Sequence, residues 1–316
     1  MDLSGVSITY PDNLENFVNI EVIEDIPEKI FIIPYRDRIQ HKTIFLHYMK
    51  TILEGQKYRI YFVEQNDKRN FNRGALKNIG FIQAKQNYPN NYRNISFIFH
   101  DIDLIPYKKG LFSYKANKGE AYHYYGFNFL LGGIVGMNGE DFERINGYPN
   151  YWAWGWEDNA LQQRFDKRIK GKTNRSEFLV INHPDVLTFY HGYNKTTSPT
   201  NQAQYQKEYK DDLIYSGIHS IKELKKTQSE RNRINEIKVN FFLTEFPEEK
   251  YVYRKEKVWE LNARLVRESN ERQRKNNRTN RTNQQSKENK NNKNNKNNQL
   301  LLGGFNHFGK YNMILK

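Results

Sequence analysis

Short apolar runs alternate with segments of helical periodicity between about residues 30 and 190. Five runs rich in Ile, Val, Phe and Tyr predict strands at residues 30–33, 58–63, 95–99, 134–137 and 178–181. Apolar residues recur at helical spacing at Phe45, Tyr48, Met49 and Ile52, and a less regular series follows at Leu76, Ile79 and Ala84. This alternation predicts βαβ units and an α/β fold, with a mainly parallel sheet flanked by helices on both faces.

The character of the chain changes near residue 260. Aromatic residues make up 15% of the sequence and concentrate before that point, whereas residues 267–299 hold 12 Asn, 10 basic and 3 acidic residues and no apolar ones. Such a segment buries too little apolar surface to offset its conformational entropy. We therefore expect an N-terminal extension at 1–27, a folded domain at 28–260, a disordered basic linker at 261–299 and a short apolar segment at 300–316.

Cysteine is absent from the 316 residues, and the formal net charge is +14. The first fact excludes a disulfide framework, a thiolate zinc site and a cysteine nucleophile, and it fits either a reducing compartment or indifference to redox state. We see no signal peptide, and no apolar run approaches the ~20 residues that span a bilayer. We therefore expect a cytoplasmic protein, or one in a particle or compartment reached without a signal peptide. The common P-loop, serine-hydrolase and zincin motifs do not occur.

Two carboxylates follow the third predicted strand. The sequence ISFIFH at 95–100 runs into Asp101 and Asp103, and their spacing on an extended chain puts both side chains on one face. Ligands of open α/β sheets bind beyond the carboxyl ends of the strands. The pair suits a divalent cation that bridges to a diphosphate, because Mg²⁺ and Mn²⁺ prefer carboxylate oxygen. An ordinary acidic turn produces the same pattern.

Other strand ends carry weaker signals. Arg36 and Arg38 follow the first strand and could bind a phosphate through forked hydrogen bonds, or could be surface arginines flanking a turn. His191 follows a predicted strand at 186–190 and could be a metal ligand through its neutral imidazole, or could be structural.

Glu157 and Asp158 begin a predicted helix directly after a tryptophan-rich segment. The helix macrodipole favours an ionised carboxylate there by roughly 0.3–1 kcal/mol, so this position suits a general base, or else is an ordinary acidic first turn. Three of the four tryptophans, Trp152, Trp154 and Trp156, stand immediately before it. Exposed tryptophan beside a carboxylate is a typical way to hold a sugar ring.

Taken in order, these segments resemble the β-1,4-galactosyltransferase family (glycosyltransferase family 7), whose members are metal-dependent inverting enzymes with a GT-A fold. The resemblance covers roughly residues 28–243. It rests on FIIPYRDR at 31–38, FNRGALKNIG at 71–80, HDIDLIP at 100–106, GG at 132–133 with INGYP at 145–149, and WAWGWED at 152–158. It implies a Rossmann-like, GT-A-type sheet.

The resemblance also implies roles for the matched residues. The residues that would contact the nucleotide sugar are Pro34, Arg36, Arg38, Phe71, Arg73, Asp101, Gly132 and Trp154. Phe71 would stack on the uracil, and Asp101 would lie near the ribose. Asp103 and His191 would bind Mn²⁺, with Mg²⁺ as the alternative, and Asp158 would deprotonate the acceptor hydroxyl. The residues that would set donor and acceptor specificity are Phe127, Leu130, Glu157 and Asn159.

The implied reaction moves galactose or N-acetylgalactosamine from a UDP-sugar to a hydroxyl of a glycan or glycoconjugate, with inversion. The chain departs from the family pattern at several positions. Trp156 replaces a loop glycine, Asn159 an acceptor-binding aspartate, and Thr188 a frequent methionine. Leu130 stands where galactose-specific members carry tyrosine, and smaller aliphatic residues there are associated with N-acetylgalactosamine. We therefore hypothesise a wider donor pocket.

Two other classes of function remain open. The altered acceptor loop would suit a catalytically weakened carbohydrate-binding relative, although Asp101, Asp103, Asp158 and His191 are all retained. The basic tail would suit salt-sensitive, sequence-independent nucleic-acid binding. It lacks the interleaved aromatic residues that stack on bases, so nucleic acid is expected only as a non-specific contact of the tail.

Overall fold

A computed structural model describes residues 26–190, 192, 196–248, 266, 267 and 270 of the chain. The predicted N-terminal extension, most of the predicted linker and the apolar segment at 300–316 lie outside the described residues. Positions 266, 267 and 270 are helical, and the disorder predicted for the linker stays a prediction. Within the described residues, no helix is both long and apolar enough to cross a membrane.

Between residues 26 and 248, the described residues form eleven strands and five α-helices. The strands are β1 Lys29–Tyr35, β2 Tyr58–Gln65, β3 Ser96–His100, β4 Leu104–Pro106, β5 Glu120–Gly126, β6 Ile134–Asn138, β7 Lys172–Asn174, β8 Leu179–Val180, β9 Val186–Thr188, β10 Lys222–Arg231 and β11 Ile234–Leu243. The helices are α1 Ile39–Ile52, α2 Arg73–Asn87, α3 Gly139–Arg144, α4 Glu157–Arg168 and α5 Pro199–Asp211.

Nine strands form one mixed sheet in the order β10-β11-β2-β1-β3-β6-β5-β7, with β8 also beside β5. The central strands β11, β2, β1 and β3 are parallel, while β6 runs antiparallel to both β3 and β5. The strands β4 and β9 form a separate two-stranded sheet. The predicted α/β fold with a mainly parallel sheet is therefore confirmed.

The two faces of the sheet are covered by different helices. Side chains alternate along β1, so Ile30 and Ile32 pack on the face that carries α2, and Phe31 and Ile33 pack on the face that carries α1. The helix α2 lies close to the sheet because Gly80 has no side chain: a Cβ there would come within 2.6 Å of an Ile32 methyl group.

Three local predictions differ from the structure. The strand predicted at 178–181 is confined to Leu179–Val180, and the strand predicted at 186–190 ends at Thr188. The hairpin β10–β11 was not predicted, because charged and polar residues interrupt its apolar pattern. It joins the sheet where β11 pairs with β2, and only one side of β11 is apolar enough to be buried.

Candidate active site

The carboxyl ends of β1, β2 and β3 meet at one edge of the sheet and present polar side chains there. Arg36 follows β1, Arg73 is the first residue of α2 after β2, and Asp101 follows β3 directly. The Asp101 amide donates a hydrogen bond of 3.3 Å to the Gly133 carbonyl, which brings the Gly132–Gly133 pair to the same edge. Residues separated by up to about 100 positions thus converge, as an open α/β sheet requires.

Arg73 joins three carboxylates. Its Nε and Nη2 atoms donate to Asp101 at 2.8 to 2.9 Å, and Nη1 donates to Glu157 Oε1 at 2.8 Å and to both Asp158 oxygens at 2.9 and 3.1 Å. Burial alone would lower the pKa of Arg73, but attraction by these carboxylates raises it well above its ordinary value. Asp101, Glu157 and Asp158, with Arg73, are called the carboxylate cluster below.

Packing around the first turn of α2 fixes the position of Arg73. Asn72 caps α2, accepting a hydrogen bond of 2.9 Å from the Ala75 amide, and its own side-chain amide donates to the Asn150 carbonyl at 3.0 Å. Gly74 presses against the same neighbouring segment, since a Cβ there would lie 2.1 Å from the Pro149 carbonyl oxygen. The helix start is therefore locked against the segment that leads to Glu157 and Asp158.

Lys77 lies one turn further along α2 and points into the cluster. Its Nζ lies 3.9 Å from Asp101 Oδ1 and 4.4 Å from the centre of the Tyr148 ring, and its side chain is only 1% exposed. Burial, helped by the charge of Arg73, lowers the pKa of Lys77 to about 8. The sequence analysis did not single out this residue, although its apolar neighbours Leu76 and Ile79 mark it as part of a buried helix.

Glu157 and Asp158 begin α4, as predicted, but their environments differ. Glu157 is buried, and burial together with the charge of Asp158 raises its pKa despite the attraction of Arg73. Desolvation by burial thus opposes the helix dipole, which favours the ionised carboxylate. The Asp158 side chain is 20% exposed. Asn159, the next predicted specificity residue, is half-buried in the same turn.

Asp158 also touches the glycine pair. A Cβ on Gly132 would lie 2.5 Å from Asp158 Oδ2 and 2.8 Å from Leu130 Cδ1. Gly132, Leu130 and Asp158, which the sequence analysis named separately, therefore form one wall. The predicted specificity residue Phe127 is exposed, and its ring lies 5.4 Å from that of Phe129, which is also exposed.

The tryptophan segment only partly follows the prediction. Trp152 is buried, stacks on Phe242 and donates from Nε1 to the Phe246 carbonyl at 3.0 Å, so it is wrong to count it among exposed sugar-stacking residues. Trp154 and Trp156 are half-buried. Trp156 has a left-handed backbone (φ 75°) and stacks on Tyr205. A left-handed backbone favours glycine, which is the residue the family pattern has there.

The residues predicted to hold the nucleotide lie at the end of β1 and in the loop before α2. Pro34 is buried in β1. The Arg36 guanidinium carbon lies 5.6 Å from the centre of the Phe71 ring, which brings these two predicted residues together. Arg38 precedes α1, and its Nη1 lies 3.3 Å from His41 Nδ1.

The loop between β2 and α2 also contains a set of ion pairs, around Asp67, that the sequence does not indicate. Asp67 ion-pairs with Arg36 at 3.6 Å and binds Arg69. The Arg69 guanidinium in turn lies 4.7 Å from the centres of the Trp152 and Phe242 rings. An acidic and a basic residue two apart in a loop are too common a pattern to indicate such a bridge.

The predicted metal ligands are described only in part. Asp103 is half-buried, and its carbonyl accepts a hydrogen bond of 2.8 Å from the Phe189 amide, so the segment that carries β9 runs along it. His191 lies outside the described residues, and its role stays a prediction. Thr188, which replaces the expected methionine, lies 3.0 Å from the Tyr125 hydroxyl. Among the described residues, no three His, Asp or Glu side chains group as a metal site.

The chain thus combines an open, mixed α/β sheet with an acidic cluster at the carboxyl ends of its parallel strands, where ligands of such sheets bind. Two family models match the chain: the N-terminal region of glycosyl transferase group 7 over residues 26–114, and the N-terminal domain of galactosyltransferase over residues 114–192. Together they cover more than half of the chain. The chain belongs to glycosyltransferase family 7.

Comparisons with single proteins agree with this family. The chain is 36% identical over 208 residues to β-1,4-galactosyltransferase 1 of Bos taurus, an alignment that covers 62% of this chain and 50% of the relative. The chain thus spans about half the length of the curated relatives it matches.

Among solved structures, the chain is similar to the catalytic domain of Drosophila β-1,4-galactosyltransferase 7 in complex with xylobiose. The TM-score is 0.57 at 21% identity, over 70% of this chain and 96% of that one. A mutant of the same Drosophila enzyme, in complex with manganese, UDP-Gal and xylobiose, gives 0.56 at 22% identity with the same coverage. These similarities confirm the GT-A-type fold.

Proposed function

We propose that this protein is a metal-dependent inverting glycosyltransferase, which moves a hexose from a UDP-sugar to a hydroxyl of a glycan or glycoconjugate. The observation that carries the proposal is the convergence of Asp101, Glu157 and Asp158 on Arg73, beside the Gly132–Gly133 pair. Family membership supports it, since the relatives are named β-1,4-galactosyltransferases and one solved relative is a complex with manganese, UDP-Gal and xylobiose.

The donor set fits a hard divalent cation. Asp103 offers a carboxylate three residues after the end of β3, and oxygen ligands of this kind are what such cations prefer. Asp103, with His191, would hold Mn²⁺ or Mg²⁺. A bound cation supplies positive charge that offsets the charge of the leaving diphosphate.

The chain's own residues bind the nucleotide and take the proton of the acceptor. Arg36 and Phe71 bind the nucleotide, and Arg38 adds positive charge at the start of α1. Asp158, held by Arg73 and Gly132, takes the proton of the acceptor hydroxyl as the acceptor oxygen attacks the anomeric carbon. The bond from that carbon to the diphosphate breaks, UDP leaves, and the configuration inverts. The family resemblance implies that the segment that contains Trp154 closes over the donor, which would exclude water from it.

The donor sugar depends on Leu130. Its side chain lies against Gly132 on the same wall as Asp158, and an aliphatic side chain leaves more room there than a tyrosine ring. We infer a pocket that accepts N-acetylgalactosamine as well as galactose. Strict preference of the wild type for UDP-galactose, unchanged in Leu130→Tyr, would contradict this part of the proposal.

The first experiment measures UDP release from a panel of UDP-sugars, with xylobiose and other short glycans as acceptors, in Mn²⁺ and in chelator. We expect Mn²⁺-dependent turnover of one donor, lost in Asp103→Ala and in Asp158→Asn. Asp166→Asn is the matched control, because Asp166 lies on the exposed side of α4. If the protein binds UDP but transfers sugar with no combination of donor and acceptor, the result would favour a carbohydrate-binding relative. Absence of UDP binding would refute the proposal.

Two further expectations stay proposals. A cytoplasmic location rests on the absence of cysteine, and cell fractionation tests it. Nucleic-acid binding by the basic tail would show as salt-sensitive affinity that vanishes on truncation at about residue 265, and it would leave the transferase activity intact.

A further inference from the structure

Lys77 is a buried cation that the proposed mechanism does not use. Its side chain is 1% exposed, so it cannot touch a donor or an acceptor. It nevertheless faces the carboxylate cluster, with Asp101 at 3.9 Å and the Tyr148 ring at 4.4 Å. The residues three and four positions further along the same face of the helix, Gly80 and Phe81, are both buried.

A lysine at this place is costly for folding. Desolvation disfavours the charged ammonium, and a methionine of similar length would fill the same space without that cost. Proteins retain such residues mainly at functional sites, where local stability is sacrificed.

The charge balance of the cluster explains what Lys77 does there. Three carboxylates share one guanidinium, whose nitrogens are all engaged: Nε and Nη2 with Asp101, and Nη1 with Glu157 and Asp158. Like charges at such short range repel one another. Lys77 approaches Asp101 as a second cation, and its charge favours the ionised form of Glu157.

We propose that Lys77 is a positioning residue of the transfer reaction: its ammonium balances the carboxylate cluster, so that Arg73 can hold Asp101 and Asp158 in place at once. This role rests on the proposed function. Lys77 acts through Asp101 and Arg73, and it contacts neither substrate.

The test compares Lys77→Met, which removes the charge at nearly constant length, with Lys77→Arg, which keeps it. Lys85→Met is the control, because Lys85 lies on the same helix and pairs with Glu143 outside the site. For each protein, kcat and KM for the UDP-sugar and the melting temperature are measured in Mn²⁺. We expect Lys77→Met to lower kcat by roughly 10- to 100-fold, the usual effect of losing a group that orients a catalytic residue.

Other readouts separate this role from a structural one. The KM for the donor should change little in Lys77→Met, its melting temperature should be equal to or above that of the wild type, and Lys77→Arg should keep more activity than Lys77→Met. An unchanged kcat, or a kcat that falls only as the melting temperature falls, overturns the role of Lys77. If Lys77→Met and Lys77→Arg are both folded and lose kcat equally, the charge of Lys77 has no role. An inactive wild type instead overturns the proposed function, and this role with it.

Discussion

The contact between Gly132 and Asp158 allows a steric test of the proposed general base without a change to its carboxylate. In Gly132→Ala, the new methyl carbon would lie 2.5 Å from Asp158 Oδ2, whereas ordinary contact begins at 3.4 Å. The carboxylate would therefore have to move by about 0.9 Å. Gly132 does not have a left-handed backbone, so alanine adds no conformational strain of its own.

Displacement of a catalytic group by ~1 Å costs on the order of 100-fold in rate. We expect kcat for UDP release in Gly132→Ala to fall by about that factor, while the free energy of unfolding in urea changes by less than about 1 kcal/mol, because Asp158 is partly exposed and can rotate.

The control for this prediction is Gly110→Ala, in the turn after β4. Gly110 has a left-handed backbone and open space around it, so this variant should lose about 1 kcal/mol of stability and keep its kcat. A wild-type kcat in Gly132→Ala would mean that the position of Asp158 does not limit the reaction, and that another group is the base.

Three further predictions concern the scaffold. Asn72→Ala removes the cap of α2 and should cost about 1 kcal/mol in urea unfolding; no loss would show that the cap is dispensable. Arg164→Met leaves buried Glu208 without its partner at 2.6 Å and should cost roughly 3–5 kcal/mol, whereas a variant as stable as the wild type would contradict that. Burial lowers the pKa of His123 to about 4, below the value of about 6.5 in the unfolded chain. The contribution of the neutral imidazole to the free energy of unfolding is therefore complete above pH 6.5 and is lost as the pH falls towards 4. The free energy of unfolding in urea should decrease over that pH range by up to about 3 kcal/mol, and it should decrease less steeply in His123→Gln. An equal dependence on pH in the wild type and in His123→Gln would exclude His123 as the cause.

The sheet could be predicted because its central strands are almost wholly apolar. Burial of β1 on both faces leaves a short continuous run of Ile and Phe, and such a run is typical of a strand in the middle of a parallel sheet. The hairpin β10–β11 escaped prediction because β10, at the edge of the sheet, is mostly exposed and rich in charged and polar residues, and because polar residues interrupt the apolar pattern of β11. Edge strands carry charge to avoid pairing with other chains, and that charge hides their periodicity.

The sequence indicates which residue types could form the candidate site, but it does not indicate how deeply each side chain is buried. Asp101 and Asp158 could be named because carboxylates at a strand end and a helix start are visible in the order of residues. Burial of Trp152 could not be predicted, because it depends on Phe242 of β11 and on Phe246, which are distant in sequence. Glu157 is likewise bound by Arg73 of α2, which is also distant in sequence. The same holds for Lys77, whose charge meets Asp101 only after α2 packs on the sheet.

The anchoring of Trp152 has a consequence for the order of events during synthesis. Its indole is held by Phe242 and by the carbonyl of Phe246, so the segment that leads to Glu157 and Asp158 lacks this part of its support until residue 246 has left the ribosome. A nascent chain that ends soon after residue 192 would contain every stretch matched by the family models and yet lack the residues that anchor Trp152 just before the proposed catalytic carboxylate. Competence for transfer should therefore arise late in translation, after β11 has closed against β2.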